Sequence, residues 1–260
     1  MSKHIVGKIT GKQYISDDIF KYTFESADIA KNAVPGQFVD IKCSEGINTI
    51  LRRPISISNT IPELDSVEFI MQVRGNATSV FSKSKPGDDI DVIGPLGKGF
   101  TINPNVKKPI LLGGGIGIFP MYFLGKKINN HQTKIVLGFR NKDLVIMEDE
   151  FASLPCSLYI TTDDGSYGQK GFVTDVLESE IKASNVDMIY ACGPLPMLKR
   201  VKDISAKAGI PCELSVEERM GCGVGACLGC AIKLVDGQDW RFGHVCKDGP
   251  VFKAEEIIFE

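Results

Sequence analysis

Residues 109–125 read PILLGGGIGIFPMYFLG, an apolar β-type run that passes through a glycine turn into the start of a helix. Gly113, Gly114, Gly115 and Gly117 permit a tight turn and the close approach of a pyrophosphate. The helix that follows would present its N-terminal amides to that phosphate. Pro120 suits an early helical position, where a missing N–H costs nothing. The strict dinucleotide fingerprint is not met, because Phe119 and Pro120 stand where its last small residue belongs. The next strand, KIVLGF, runs into Arg140 and Asn141 rather than an acidic residue that would hold a ribose. On this stretch alone, a glycine turn without a ligand stays open. Glycine interrupts the run, which is also short for a membrane span.

Working outward, residues 108–215 alternate strand-like runs (PILLGG, KIVLGF, SLYITT, DMIYACG, PCELSV) with helix-length stretches. That is the βαβ rhythm of a parallel, doubly wound sheet. YACGPLPML puts Cys192, Gly193 and Pro194 at the C-terminal end of a strand, the edge where open α/β sheets bind ligands. Cys192 reads equally as a small buried side chain. Residues 1–100 differ. Short segments such as HIVGKIT, IFKYTFES, GQFVDIKC, PISISNT and VEFIMQVR, parted by Gly, Pro and Asp, suggest a small barrel with one helix over Asn76–Ser84. Within it, LRRPISIS offers Arg52 or Arg53 as a bidentate partner for phosphate, with Ser56 and Ser58 alternating outward beside a heterocycle. A strand with two solvated arginines is the alternative.

Residues 216–260 are rich in Gly and Cys and show little helical periodicity. Cys222, Cys227, Cys230 and Cys246 follow C-x4-C-x2-C-x15-C, the plant-type spacing of a [2Fe–2S] cluster held by four thiolates. The intervening glycines let the loop curl and aim N–H groups at sulfur. A zinc site usually pairs two short hooks, and the long step to Cys246 leaves no second one. Disulfides would suit an exported chain, and MSKHIVGKIT has no apolar h-region. The tail has too little apolar surface for a core of its own, so the cluster would staple it. Cys43, Cys156 and Cys212 fall in strand-like segments, where buried free thiols are common.

The 260 residues carry a net charge of −2 with interspersed signs, which favours neither nucleic acid nor an anionic membrane. His4, His131 and His244 are the only histidines, which argues against a histidine-rich metal site. A cytoplasmic chain is expected. Its parts are a barrel over 1–100, an α/β domain over 101–215 and a cluster tail over 216–260.

Taken together these pieces resemble the ferredoxin–NADP reductase superfamily. Arg53, Pro54, Ile55 and Ser56 match its R-x-x-S/T signature; PGQFV at 35–39, GPLG at 94–97 and ACGP at 191–194 match further markers. Within it, ERMGCGVGACLGC at 218–230 is similar to the electron-transfer subunits of type B dihydroorotate dehydrogenases, which serve pyrimidine biosynthesis. The resemblance implies a Greek-key barrel holding FAD and a nicotinamide-nucleotide domain. It implies flavin contacts at Arg53, Pro54, Ile55 and Ser56, along the strand Ile70, Met71 and Gln72, and at Ala77 and Thr78. Ile55 replaces the usual aromatic residue, and Ala77 stands where glycine is usual. Gly114, Gly115 and Gly117 would form the nucleotide loop, and Cys192 and Gly193 would approach the nicotinamide. It implies NAD+ as acceptor and an FMN-containing dihydroorotate dehydrogenase catalytic subunit as partner, in a heterotetramer with two copies of each. No catalytic acid–base pair or nucleophile is expected here.

Two rivals stand beside that expectation. One is a flavin–cluster subunit of another oxidoreductase, such as a ferredoxin:NADP transhydrogenase or sulfide dehydrogenase. The other is a non-catalytic binding protein whose tail is a zinc module. The residues leave NAD against NADP open, since Arg140 and Lys142 could meet a 2′-phosphate or face solvent.

Overall fold

The computed structural model describes residues 3–44 and 49–259. The first part contains β1 (Lys3–Ser16), β2 (Ile19–Glu25), α1 (Ala27–Asn32), β3 (Phe38–Ile41), β4 (Arg53–Ile61), β5 (Ser66–Gln72), α2 (Asn76–Phe81) and β6 (Asp89–Leu96). The six strands close into a barrel in the order β1-β2-β5-β4-β3-β6. Alternate residues point inward, as a pleated strand requires. Tyr22, Phe24, Val39, Ile41, Ile57, Phe69, Met71, Ile90 and Val92 fill the interior. Tyr22 stacks on Phe69 at 5.3 Å between ring centroids, and Phe81 of α2 meets Tyr22 edge-on at 5.1 Å. α1 starts at Ser26, whose hydroxyl accepts from the Ile29 N–H.

The second part contains β7 (Pro109–Gly114), α3 (Ile118–Ile128), β8 (Thr133–Phe139), α4 (Glu148–Ala152), β9 (Cys156–Thr162), β10 (Gln169–Lys170), α5 (Val173–Ala183), β11 (Met188–Cys192), α6 (Leu195–Ala208) and β12 (Cys212–Ser215). β7, β8 and β11 are nearly continuous buried runs, as expected where helices cover both faces of a parallel sheet. The order is β10-β9-β8-β7-β11-β12, parallel throughout. The chain leaves β7 toward β8 and β9, then returns to β11 on the other side. The reversal lies between β7 and β11, which is where such sheets open a ligand crevice.

The tail contains β13 (Ala231–Asp236), β14 (Asp239–His244), α7 (Val245–Asp248), β15 (Val251–Lys253) and β16 (Ile257–Ile258). β14, β13 and β16 form a three-stranded sheet, while β15 joins the α/β sheet antiparallel to β12. The sequence suggests a tail stapled only by its cluster. Instead Leu234, Val245, Phe252, Ala254 and Ile257 share one core with Leu198, Val201 and Leu214 of the α/β part and with Phe38 and Leu96 of the barrel. Each of the larger side chains contributes about 1.5–3 kcal/mol by burial. The tail therefore borrows the core it cannot build. It also seams the other two parts: the Lys98 N–H donates to the Gly249 carbonyl at 2.5 Å, and Val251 packs at Gly36 beside Phe100.

Candidate functional site

The cluster loop lies against the outer face of the barrel. Cys230 and Cys246 are buried, Cys222 is half-buried and Cys227 is exposed. The four thiols fall into two pairs. The Cys230 and Cys246 sulfurs are 3.2 Å apart. Cys222 Sγ accepts from the Ala226 and Cys227 N–H groups at 3.2 and 3.3 Å. The Gly225 N–H donates to Cys246 Sγ at 3.1 Å. Burial raises the Cys222 pKa, but the N–H groups of Cys227 and Val224, the Cys227 thiol and the Ala226 N–H outweigh it and bring the thiol down to about 6. Burial and the adjoining Cys230 thiol push Cys246 upward. Among the described residues no three His, Cys, Asp or Glu side chains gather at a single-ion site. A [2Fe–2S] cluster asks for something else, four thiolates spread over two irons. Two thiol pairs with N–H groups aimed at sulfur fit that donor set.

The R-x-x-S motif opens β4, the strand paired with β3, against which the loop lies. Cross-strand partners are Phe38 with Ser56, Asp40 with Pro54 and Ile41 with Arg53. Arg52 is committed elsewhere: its Nη2 pairs with Asp91 Oδ1 at 2.8 Å, and His4 Nε2 lies 2.7 Å from the same oxygen. The Arg53 guanidinium donates only to the Leu51 and Arg52 carbonyls, at 2.8 and 3.0 Å, and no carboxylate among the described residues pairs with it. Arg53 is thus the arginine left to meet an anion. Gln72 bonds Asp18 and Arg74. The Thr78 hydroxyl accepts from the Arg74 and Gly75 N–H groups and so fixes the turn into α2. The side chains of Ile55, Met71 and Ala77 pack into the barrel core, so only their backbone faces outward. Ile70 packs instead with the core shared by α3. Ser58 departs from the outward, accessible position expected of it. It is buried where β4 meets α3, its hydroxyl without a partner among the described residues, beside the Lys126–Asn59 hydrogen bond of 3.0 Å.

At the third place, the crevice between β7 and β11, Gly114, Gly117, Cys192 and Gly193 converge. Cys192 pairs in register with Gly113. A Cβ on Gly114 would lie 2.7 Å from Met197 Sδ and 2.9 Å from Pro194 Cδ, and one on Gly117 would strike the Cys192 carbonyl. Gly115 adopts φ +56 at an open position. The two chain crossings come this close because neither bears a side chain, which leaves backbone facing the crevice. Burial pushes the Cys192 thiol up to about 12, so it stays protonated.

Comparison with known proteins agrees with this three-part arrangement. Residues 6–100 match an oxidoreductase FAD-binding domain and 111–203 an oxidoreductase NAD-binding domain. Residues 217–258 match the iron–sulfur cluster binding domain of dihydroorotate dehydrogenase B. The electron transfer subunit of dihydroorotate dehydrogenase B (NAD(+)) from Caldanaerobacter subterraneus is 40% identical over 252 residues, 97% of each chain. The chain belongs to the dihydroorotate dehydrogenase B electron-transfer subunit family. Another member, from Geobacillus thermodenitrificans, is 41% identical over 254 residues, 96% of each chain. Among solved structures, a chain of the NADH-dependent reduced ferredoxin-NADP oxidoreductase, described for flavin-based electron bifurcation, is similar. It has 34% identity and a TM-score of 0.84, covering 97% of this chain and 89% of that one. Membership of the electron-transfer subunit family brings FAD-, NAD- and cluster-binding domains and makes the chain an oxidoreductase subunit. No helix among the described residues is long and apolar enough to cross a membrane.

Sequence reasoning about the electron-transfer subunit missed α1, β6 and the tail strands. DIDVIGPL alternates as a strand should, and that signal was available for β6. It also passed over Asp40, a lone acid in an otherwise apolar strand.

Proposed function

We propose that this chain carries electrons from dihydroorotate, oxidised on an FMN-containing catalytic partner subunit, to NAD+ in the cytoplasm, within a heterotetramer of two copies of each subunit. Residues 1–100 serve as the FAD barrel, 101–215 as the NAD domain and 216–260 as the cluster domain. Cys222, Cys227, Cys230 and Cys246 hold the [2Fe–2S] cluster. Arg53 to Ser56, with Ile70, Met71, Gln72, Ala77 and Thr78, hold FAD. Gly114, Gly115, Gly117, Cys192 and Gly193 admit the nicotinamide nucleotide. Bound there, the cluster supplies one-electron transfer, FAD the conversion between single electrons and pairs, and NAD+ the two-electron acceptor. The chain's own residues place these groups, satisfy their charge and keep water from the crevice. The observation that carries the reading is adjacency. The cluster loop covers the outer face of β3, and β4 with Pro54 and Ser56 is the next strand, about 4.8 Å away.

The loop also supports a docking role. Leu228 stands between Cys227 and Cys230, is 60% exposed and adopts φ +61. A non-glycine residue in that conformation costs about 1–3 kcal/mol, and an exposed leucine recovers nothing from the fold. Contact with the partner subunit would recover it. Leu228→Glu is expected to weaken partner binding about 10-fold or more, read by titration of dihydroorotate-dependent NAD+ reduction. NADH oxidation with a dye acceptor should be unchanged in that variant. Equal partner affinity in the two proteins would remove Leu228 from the contact. The likeness to the ferredoxin-NADP oxidoreductase chain supports a second reading, the same relay facing a different partner, which the same assay tells apart.

A further inference from the structure

Asp40 lies in β3, cross-strand from Pro54 on one side and from Ile93 on the other. Val39 and Ile41 fill the barrel, so Asp40 points outward. It is nevertheless 2% exposed, and its Oδ1 has no hydrogen-bond partner among the described residues. The cluster loop is what covers it. A Cβ on Gly223 would sit 2.5 Å from Asp40 Oδ2 and 3.1 Å from its Cγ. Gly223 follows Cys222 directly and adopts φ +69, so the loop turns at the one residue that leaves the carboxylate room. A carboxylate removed from water ordinarily takes a partner. The nearest guanidinium groups are only partly available: Arg52 is paired with Asp91, and Arg53 donates to two carbonyls.

We propose that Asp40 is an electrostatic tuning residue for the cluster held by that loop, its sealed carboxylate opposing addition of an electron there and so lowering the cluster's reduction potential. The inference rests on assigning the [2Fe–2S] cluster to the four cysteines. Its physical basis is that a charge outside bulk water is screened little and acts on a neighbouring centre with more force than a surface charge does. Its position between the Pro54 strand and the Cys222 loop lets it bias transfer between flavin and cluster without touching either. Burial, opposed by Arg52 and Arg53, pushes its pKa up to about 6, and the negative charge of a bound cluster would push it further the same way, so the carboxyl gains its charge as pH rises toward and through neutrality. The groups facing it are Arg52 and Arg53 beside β4, Asp91 of β6 with its partner His4, and Cys43 just beyond β3. From the tail side the loop brings Gly223 and Val224, both uncharged, and Lys247 lies against Gly225.

Asp40→Asn keeps the shape and removes the charge. The test is an EPR-monitored redox titration of the full chain loaded with cluster and FAD, from about pH 5 to about pH 8, the range that spans the carboxyl's titration. Iron and sulfide are assayed first. The expected result is unchanged cluster content with a midpoint potential shifted upward at neutral pH, the shift vanishing in acid. In the unaltered chain the midpoint should fall as pH rises through about 6, and the variant should lack that fall. A fully loaded Asp40→Asn chain with the unaltered midpoint and pH slope overturns the proposal. If that variant does not load, Asp40→Ser takes its place with the same two expected results, and a flat midpoint over that range in the unaltered chain overturns the proposal. An unaltered chain with no cluster signal overturns the cluster assignment, and this proposal with it.

Discussion

Cys227→Ser is expected to empty the cluster site while FAD stays in the barrel. Cys227 is the exposed member of the four thiols and contributes nothing to a core, so its loss is a change of ligand rather than of packing. Its sulfur belongs to the Cys222 pair, and serine leaves one iron with a poorer donor. Outer partners of metal ligands commonly cost 10–100-fold, so a ligand itself should cost at least about 100-fold in partner-linked electron transfer. Iron and sulfide content should fall toward zero, with the flavin absorption retained. Dye-linked NADH oxidation should persist, because it needs only the barrel and the nucleotide crevice. Full iron and sulfide content in the variant would remove Cys227 from the ligand set.

Arg53→Ala is expected to release FAD on dilution. A fork with five donors suits a pyrophosphate better than an ammonium does, and hydrogen bonds to charged groups contribute about 1.5–3 kcal/mol. The affinity for FAD should drop about 10- to 100-fold by that figure, read by fluorescence of the released flavin. Arg52→Ala serves as the contrast. It breaks the pairing with Asp91 and should lower thermal stability while flavin occupancy holds, because Arg52 is already spent on Asp91 and the Asp40 carbonyl. Unchanged FAD binding in Arg53→Ala, with loss in Arg52→Ala, would reverse the two assignments.

What the sequence made legible depended on whether the signal was local. The β7 turn and the strands around it could be read because apolar period and glycine punctuation act over a few residues. The cluster-binding tail could be read because cysteine spacing is itself a local signal. The strand pattern alone left Arg52 and Arg53 open, and only the family signature pointed to Arg53; the physical distinction lies in Asp91 and His4, which reach Arg52 from other strands. Strand alternation suggested an accessible Ser58, but a strand pattern does not say what will lie on top of it, and α3 does. β15 escaped for a similar reason. Three residues have no periodicity, and their strand exists only because β12 offers an edge. Asp40 is the clearest case. Its meaning comes from Gly223, far along the chain, and no window of sequence holds both.

The central claim is that this chain is a relay and not itself the site of dihydroorotate chemistry. Measured anaerobically, the cluster- and FAD-loaded chain alone should oxidise NADH with an artificial acceptor and leave dihydroorotate untouched. Addition of the catalytic subunit should start dihydroorotate-dependent NAD+ reduction. Robust dihydroorotate oxidation by the chain alone, or no transfer to NAD+ with the partner present, would contradict it.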